Sequence, residues 1–432
     1  MPERGWSCSL ANIPASELAQ QILQACLTER AWPTRILDAL IERALDETDP
    51  FAAAAATRAF FGIVVERLAD LFEPDLCEVY ARLFAHVISR ALPEHRAADL
   101  LVRYRRIRHV RRFPGGQVNR VFVLSRVTLG ADIAVTSVAL QAAKTRFPEA
   151  EICFVGPSKN AELFAADPRI TAVPVAYGRS SLLRDRLLAA AELQVTVDEI
   201  GSIVIDPDSR LTQLGLIPVC DDARYFFFES RSYGGESLAP LPRLAAEWLN
   251  EVFDVEDARP CVAPVQQVNT ADVTVSWGVG ENEEKRAGDD FEYRVMSALL
   301  ERGWRVLMDR GAGGEEACRA DALVERLQSP AQLAVHDGSY ASFASHILQS
   351  RLYIGYDSAG QHVAAAGGVP LISVFKGFPC QRMFARWHPY SSSAHVIPVH
   401  SGVDGGNASA ALPKALEAIA EVAEEAPARS TD

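Results

Sequence analysis

No apolar run in this chain of 432 residues is long enough to cross a bilayer, and its first residues, MPERGWSCSLANIP, lack the charged-then-apolar pattern of a secretory signal. The chain therefore reads as cytoplasmic. Its cysteines (Cys8, Cys26, Cys77, Cys153, Cys220, Cys261, Cys318 and Cys380) form no CxxC pair and no Cys/His spacing of a zinc site. Reduced, buried thiols are expected, and neither a metal nor a disulfide framework. Basic charge is scarce as well. With 43 Lys and Arg against 56 Asp and Glu the formal net charge is −13, which excludes general nucleic-acid binding but leaves room for a local basic site facing an anionic substrate. Hydrophobic residues make up 49% of the chain, enough for more than one core, so two or three domains are expected.

Strand signal is nearly absent from residue 12 to about 105. That region is rich in Ala, Leu and Arg at helical spacing (Leu18, Ile22, Leu23, Cys26; Ile36, Leu40, Ile41, Leu45). Pro14 with Ser16, Pro33 with Thr34, and Asp49 with Pro50 read as successive helix starts. Trp6, Trp32 and the pair Phe60 and Phe61 suit a helical core better than a binding face. The region ends in RYRRIRHVRRFPGG, where Phe113 to Gly116 break the pattern. Arg103, Arg105, Arg106, Arg108, Arg111 and Arg112 concentrate positive charge there. Such a run reads first as a solvated helix face paired with acidic neighbours. Peripheral contact with anionic headgroups, or with a phosphorylated acceptor, is the sharper alternative. The helices carry apolar stripes, so docking on the following lobe or on a second copy of the chain is expected, and a homo-oligomer is one outcome.

From Arg120 the texture changes. VFVLS (121–125), ICFVG (152–156), AVPVA (172–176) and IVIDPD (203–208) are short β-branched runs separated by helical stretches, the pattern of parallel βαβ units. After a Pro-rich stretch a second set follows: VTVSWG (273–278), WRVLMD (304–309), AQLAVHD (331–337), LYIGYD (352–357), PLISVF (370–375) and HVIPV (395–399). The expected architecture is α/β, with two Rossmann-like lobes facing a cleft behind an all-α N-terminal region. The division is residues 1–115 (helical), 116–262 (first Rossmann-like lobe), 263–420 (second Rossmann-like lobe) and a flexible acidic tail, 421–432.

Ligands of open α/β sheets bind at the carboxyl ends of the strands. Polar and glycine residues gather there: Ser125, Arg126, Thr128, Gly130 and Asp132; Asp206, Asp208 and Arg210; Ser276, Gly278, Gly280, Glu283, Lys285 and Arg286; Asp309 to Glu315; His336 and Asp337; and Lys376. The fullest such segment is YIGYDSAGQHVAAAGGVPLISVF, from Tyr353 to Phe375. A buried strand delivers Asp357, Ser358, Ala359 and Gly360 to a helix start, where backbone N–H groups and the helix dipole suit a phosphate. Ser358, Gln361 and His362 can add hydrogen bonds. An ordinary strand–turn–helix crossover has the same outline, since Asp and Ser are common helix caps.

Four stretches in order resemble the heptosyltransferase family (glycosyltransferase family 9, GT-B fold) over residues 118 to about 400. They are VFVLSRVTLGADIAVTSVAL, VTVSWGVGENEEKR, MDRGAGGEE and YDSAGQHVAAAGGVPLISVF. The resemblance implies a bacterial, inverting, metal-independent glycosyltransferase of lipopolysaccharide or glycan biosynthesis. Its donor would be a nucleoside diphosphate sugar, ADP-sugar first, carrying heptose or hexose, and its acceptor a glycan or protein. It implies a place in the cytoplasm at the inner face of the membrane, with no cofactor and no metal, and no DxD motif ends a nucleotide-facing strand. It makes Asp132 the general base and Lys285, with Arg286, the partners of the diphosphate. Ser276, Gly278, Asp357, Ser358, Ala359, Gly360, Gln361 and His362 complete the donor site, and Glu315 (or Glu316) would take the ribose hydroxyls. Arg126, Thr128 and Arg210 fall on the acceptor side, where a structural salt bridge explains Arg210 equally well. The chain departs from the family pattern in three places. Ala131 separates Gly130 from Asp132, Ala359 stands where a glycine is usual, and no Trp-Pro follows Lys285. Asp132 also suits a plain N-cap. A non-catalytic relative that binds nucleotide or serves as a scaffold is the alternative to an enzyme.

Overall fold

The structure, a computed structural model, describes residues 10–178, 181–280, 282–399 and 408–425. Trp6, Cys8 and the last seven residues lie outside these. The N-terminal region is helical, as its periodicity predicts: α1 (Ala15–Glu29), α2 (Thr34–Ala44), α3 (Pro50–Ala59), α4 (Glu66–Asp70), α5 (Pro74–Ala91) and α6 (Ala97–Ile107). The starts follow the expected signals. Asp49 caps α3 by accepting from Ala52 N at 3.0 Å, and Pro50 takes the first helical position, where no N–H is needed. Phe60 and Phe61 lie in a π-helical turn (Phe60–Val65) and pack with Phe84 and Tyr80 into an aromatic core.

Strands and helices then alternate. The first set is β1 (Arg120–Leu124), α7 (Leu129–Ala131), α8 (Ser137–Arg146), β2 (Glu151–Gly156), α9 (Ser158–Ala161), β3 (Ile170–Pro174), α10 (Leu183–Val197), β4 (Ser202–Asp206), β5 (Tyr225–Phe227) and α11 (Leu241–Phe253). The second is β6 (Val273–Ser276), α12 (Asp289–Glu301), β7 (Val306–Asp309), α13 (Gly314–Arg326), β8 (Leu333–His336), α14 (Tyr340–Gln349), β9 (Leu352–Tyr356), α15 (Ala359–Ala366), β10 (Leu371–Lys376), α16 (Gln381–Arg386), β11 (Ala394–Val399) and α17 (Ala408–Glu425). Each of the ten apolar β-branched runs contains a strand. The aromatic run at β5 has no such signature, because three residues carry no period; its pairing with β4, Val204 opposite Tyr225, makes it a strand.

The chain divides into two compact units, Met1–Leu124 with Val175–Ser237, and Ser125–Pro174 with Leu238–Asp432. In the first unit, β1, β4 and β5 pair in parallel and the N-terminal helices pack on the same body. Arg103 of α6 donates to Asp222 at 2.7 Å and to the Gly215 carbonyl at 2.8 Å, and Tyr104 hydrogen-bonds the buried Glu229. The expected docking of the helices on strands of the same chain is thus present. Most of the arginine run is engaged in this contact or within the helices. Arg105 pairs with Glu78, Arg106 with Asp222, Arg108 with Glu229 at 2.6 Å, and Arg111 donates to the carbonyls of Asp222, Ala223 and Tyr225.

In the second unit, β2 pairs with β3, and β6 to β11 form a six-stranded sheet in the order β11-β10-β9-β6-β7-β8, every pair parallel. Val273, Val275, Leu352, Ile354, Ile372 and Val374 are its buried centre, covered by Met296, Leu299 and Ile419. Burying each such side chain fully contributes about 1.5–3 kcal/mol. The acidic tail expected to fray from Glu421 instead continues α17 to Glu425, because Val422 packs into this core. None of the described cysteines is in a disulfide; Cys318 is exposed and Cys261 and Cys380 are half-buried, against the expectation of buried thiols. Among the described residues no helix is long and apolar enough to cross a membrane.

Candidate donor and acceptor sites

The turn after β1 is built around one carboxylate. Asp132 is wholly buried, and each of its oxygens accepts two hydrogen bonds. Oδ1 takes Arg126 N at 2.6 Å and Thr136 Oγ1 at 2.7 Å, while Oδ2 takes Ser125 Oγ at 2.6 Å and Asn160 Nδ2 at 2.5 Å. Burial pushes the Asp132 carboxyl above the usual carboxylate range, and the four donors pull the other way. The N-cap of α7 is Thr128, so Asp132 is not the N-cap the sequence also allowed. A π-helical turn, Asp132–Thr136, follows α7; such a turn takes up one residue more than an α-turn, which accommodates Ala131. Asn160, which holds Asp132 from the far side of β2, is absent from the residues that the sequence marks out. A lone Asn after a strand carries no signal of its own.

Gly130 brings this turn against the second site of the same unit. A Cβ placed there would lie 3.4 Å from Ala359 Cα and 3.5 Å from His362 Cδ2, so the start of α15 runs directly over it. Arg126 is half-buried beside the turn and Thr128 is exposed.

At α15 the predicted residues converge. Ser358 is the N-cap and makes no side-chain cap bond. The Lys285 ammonium reaches Asp357, 2.8 Å from Oδ2 and 3.3 Å from the carbonyl. Gln361 donates to Asp357 Oδ1 at 2.7 Å and accepts from Ser373 Oγ at 2.6 Å, which fixes the loop from behind. Gly360 is required by packing, since a Cβ there would stand 2.1 Å from the Tyr353 hydroxyl. His362 is 4% exposed, and burial pushes its imidazole down to about 4, so it is neutral at pH 7. It can therefore orient a ligand but not supply charge.

Of two further predicted donor residues, one is engaged elsewhere and one is exposed. Arg286 forks onto Glu292 at 3.0 and 2.8 Å and reaches Asp289 at 2.5 Å, while Tyr356 donates to the same Glu292 at 2.8 Å. Its charge thus anchors α12. Glu315 has a side chain 88% exposed, with Arg319 at 3.9 Å. Its neighbour Glu316 accepts from Val279 N, Gly280 N and Ala312 N, each at 2.9 Å, and so clamps the loops after β6 and β7 together, with Gly278 against its carboxylate. Ser276, at the end of β6, donates to Asp309 at 3.3 Å.

In the other unit, Arg210 donates to the Tyr80 hydroxyl at 3.1 Å and so ties its loop to α5. Asp206 accepts from Ser209 N at 2.6 Å, Thr212 Oγ1 at 2.5 Å and the Tyr225 hydroxyl, and burial pushes it up to about 6. Asp208 is locked by Arg231 at 2.9 and 3.1 Å and by Ser230 at 2.8 Å.

Residues 287–404 match glycosyltransferase family 9 (heptosyltransferase). Over 100 residues the chain is 30% identical to lipopolysaccharide heptosyltransferase 3 of Escherichia coli, a stretch covering 23% of this chain and 28% of that protein. The chain thus matches well under a third of the length of that relative. Solved structures that share its fold include three that match over nearly all of their own length. They are a glycosyl transferase family 9 protein of Veillonella parvula (TM-score 0.56, 16% identity, 72% of this chain and 99% of that one), E. coli ADP-heptose lipopolysaccharide heptosyltransferase II (0.52, 16%, 71% and 100%) and E. coli heptosyltransferase WaaC with ADP (0.52, 15%, 71% and 99%). The fold is therefore the α/β fold of these heptosyltransferases, preceded by a helical region, and the chain is heptosyltransferase-like. The family match contains Glu315 and Asp357 to His362; it leaves out Asp132, Ser276, Gly278, Lys285 and Arg286.

Proposed function

We propose that this heptosyltransferase-like chain is a glycosyltransferase that moves a heptose or hexose from a nucleoside diphosphate sugar, ADP-sugar first, to a hydroxyl of a glycan or protein acceptor. The observation that carries the proposal is the contact of Gly130 with Ala359 and His362, which sets the acid-bearing first turn beside the helix start that holds Lys285. A diphosphate leaving group gathers negative charge as the glycosidic bond breaks. The Lys285 ammonium and the N-terminal N–H groups of α15 are the positive donors placed to meet it. They supply the stabilisation without a divalent cation in this scheme. Direct displacement by the acceptor oxygen inverts the anomeric centre. The acceptor's proton then needs a base, and Asp132 is the carboxylate at that turn. Burial raises its proton affinity, which suits a base. To act, it must exchange a hydroxyl partner, Ser125 or Thr136, for the hydroxyl of the acceptor.

The closed shell around Asp132 favours a second reading, in which the carboxylate only fixes the turn and the protein binds nucleotide as a scaffold or regulator. One experiment separates the two. The pure protein is incubated with ADP-, GDP-, UDP- and CDP-sugars, with thermal stabilisation and nucleotide release both followed. Stabilisation with release supports the transferase, stabilisation without release the scaffold, and neither response removes the nucleotide site.

A further inference from the structure

Asn160 is a buried amide that uses only one of its two polar ends. It lies in α9 with no exposed surface, and its Nδ2 donates to Asp132 Oδ2 at 2.5 Å. Its Oδ1 has no hydrogen-bond partner among the described residues. A buried carbonyl without a donor costs stability, and an apolar side chain would avoid that cost. The bond to Asp132 is therefore what the amide contributes. The backbone is built to deliver it. Ser125 N donates to the Val155 carbonyl of β2 at 2.8 Å, and a Cβ on Gly156 would stand 2.3 Å from Ser125 Cβ. The turn after β2 thus lies directly against the turn after β1. Asn160 N, donating to the Pro157 carbonyl at 2.9 Å, fixes where the amide leaves α9.

The four partners of Asp132 are not equally able to give way. Arg126 contributes a backbone N–H, which cannot turn. The Ser125 hydroxyl donates to Oδ2 and accepts from Val127 N at 2.8 Å, so it is held at both ends. The Thr136 hydroxyl, 2.7 Å from Oδ1, swings on a single bond. A protonated carboxyl keeps one oxygen as a carbonyl acceptor and turns the other into a donor. We propose that Asn160 is a positioning residue of the transfer reaction. With Ser125 it keeps Oδ2 as the accepting oxygen in both protonation states of Asp132, and so reserves Oδ1 for the proton of the acceptor hydroxyl. When the acceptor displaces Thr136, its O–H bond breaks and the proton passes to Oδ1. The electron pair freed on the acceptor oxygen forms the bond to the anomeric carbon. The pair of the broken glycosidic bond leaves with the nucleoside diphosphate. This role rests on the reading of Asp132 as the base.

The test is carbon-13 NMR titration of the full-length protein labelled at its aspartate carboxyls, with the Asp132 signal identified by its loss in Asp132→Asn. Asn160→Leu and Asn160→Ala each remove the donor to Oδ2. The Asp132 midpoint should then rise by about one to two pH units, the worth of a hydrogen bond to a charged group. The acid limb of ADP release from ADP-heptose should rise by the same amount, which a merely structural loss would not produce. In wild type the Asn160 side-chain NH₂ signals should titrate with the Asp132 midpoint, a measurement that needs neither variant to fold. A midpoint that stays put in a folded variant, or NH₂ signals that ignore it, overturns the role of Asn160 and leaves the base reading standing. A midpoint that rises while the acid limb does not removes Asp132 as the base, and the role of Asn160 with it.

Discussion

The Lys285 ammonium lies 2.8 Å from the Asp357 carboxylate, bridging the loop after β6 and the start of α15. The pair is largely sheltered, with side chains 21% and 7% exposed, so its charge is only weakly screened by solvent. It places one cation at a helix N-terminus, where a diphosphate gains from both.

A nucleoside diphosphate should therefore raise the melting temperature of the protein. At 100 times Kd, linkage gives roughly 2.7 kcal/mol of stabilisation. Lys285→Ala should weaken this shift while leaving the unliganded protein folded, as differential scanning fluorimetry can show. An unchanged shift in the variant would place the phosphates elsewhere.

Asp132→Asn puts an amide where four donors converge, so one NH₂ group meets donors rather than acceptors. A stability loss of about 1–3 kcal/mol in urea titration is expected from the mismatch. If the carboxylate also accepts the proton, turnover falls by about 10²–10⁴ while nucleotide affinity holds. Loss of stability with normal turnover in the folded fraction would leave Asp132 as an anchor alone.

His362 predicts an acid-sensitive fold. Its folded-state value, about 4, lies below the ordinary 6.5, so the unfolded chain binds the proton more readily. Stability from this group is complete above pH 6.5 and is lost as pH falls toward about 4, by about 3 kcal/mol in all. Asp206 acts in the opposite sense. Raised from 3.8 to about 6, it loses stability as pH rises through that window. The difference between wild type and His362→Gln isolates the histidine. Urea midpoints should diverge progressively below pH 6.5, and parallel midpoints down to pH 4.5 would count against a buried neutral imidazole.

The arginine run divides into exposed and structural members. Arg105→Ala removes a surface pair and should cost about 0–1 kcal/mol. Arg108→Ala strips a partner from Glu229, whose side chain is 4% exposed, and should cost about 3 kcal/mol. Equal midpoints for the two variants would contradict this division. Deleting residues 1–115 uncovers the Arg103 and Tyr104 contacts and should yield an aggregating protein by light scattering. A soluble, fully active truncation would mark the helices as an independent appendage.

Period and punctuation determined much of this protein. The β-branched runs at 121–125 and 352–357 became strands because a buried parallel strand needs little beyond apolar, β-branched residues in a row. Pro33, Asp49 and Pro50 set helix starts because capping is local chemistry. The cluster from Asp357 to His362 was legible for the same reason: strand, turn and helix start are contiguous in the chain. Whatever depends on distant partners was decided by tertiary packing. Arg286 and Lys285 are neighbours in sequence, yet one is spent on Glu292 and the other stands at α15. Glu315 and Glu316 differ as sharply, one in solvent and one clamping two loops. Asp132 shows a strand-end carboxylate in the sequence, but only Asn160, 28 residues away, completes the shell that encloses it. A side chain's charge is written in the sequence, whereas the groups that satisfy it are chosen by which strands lie side by side.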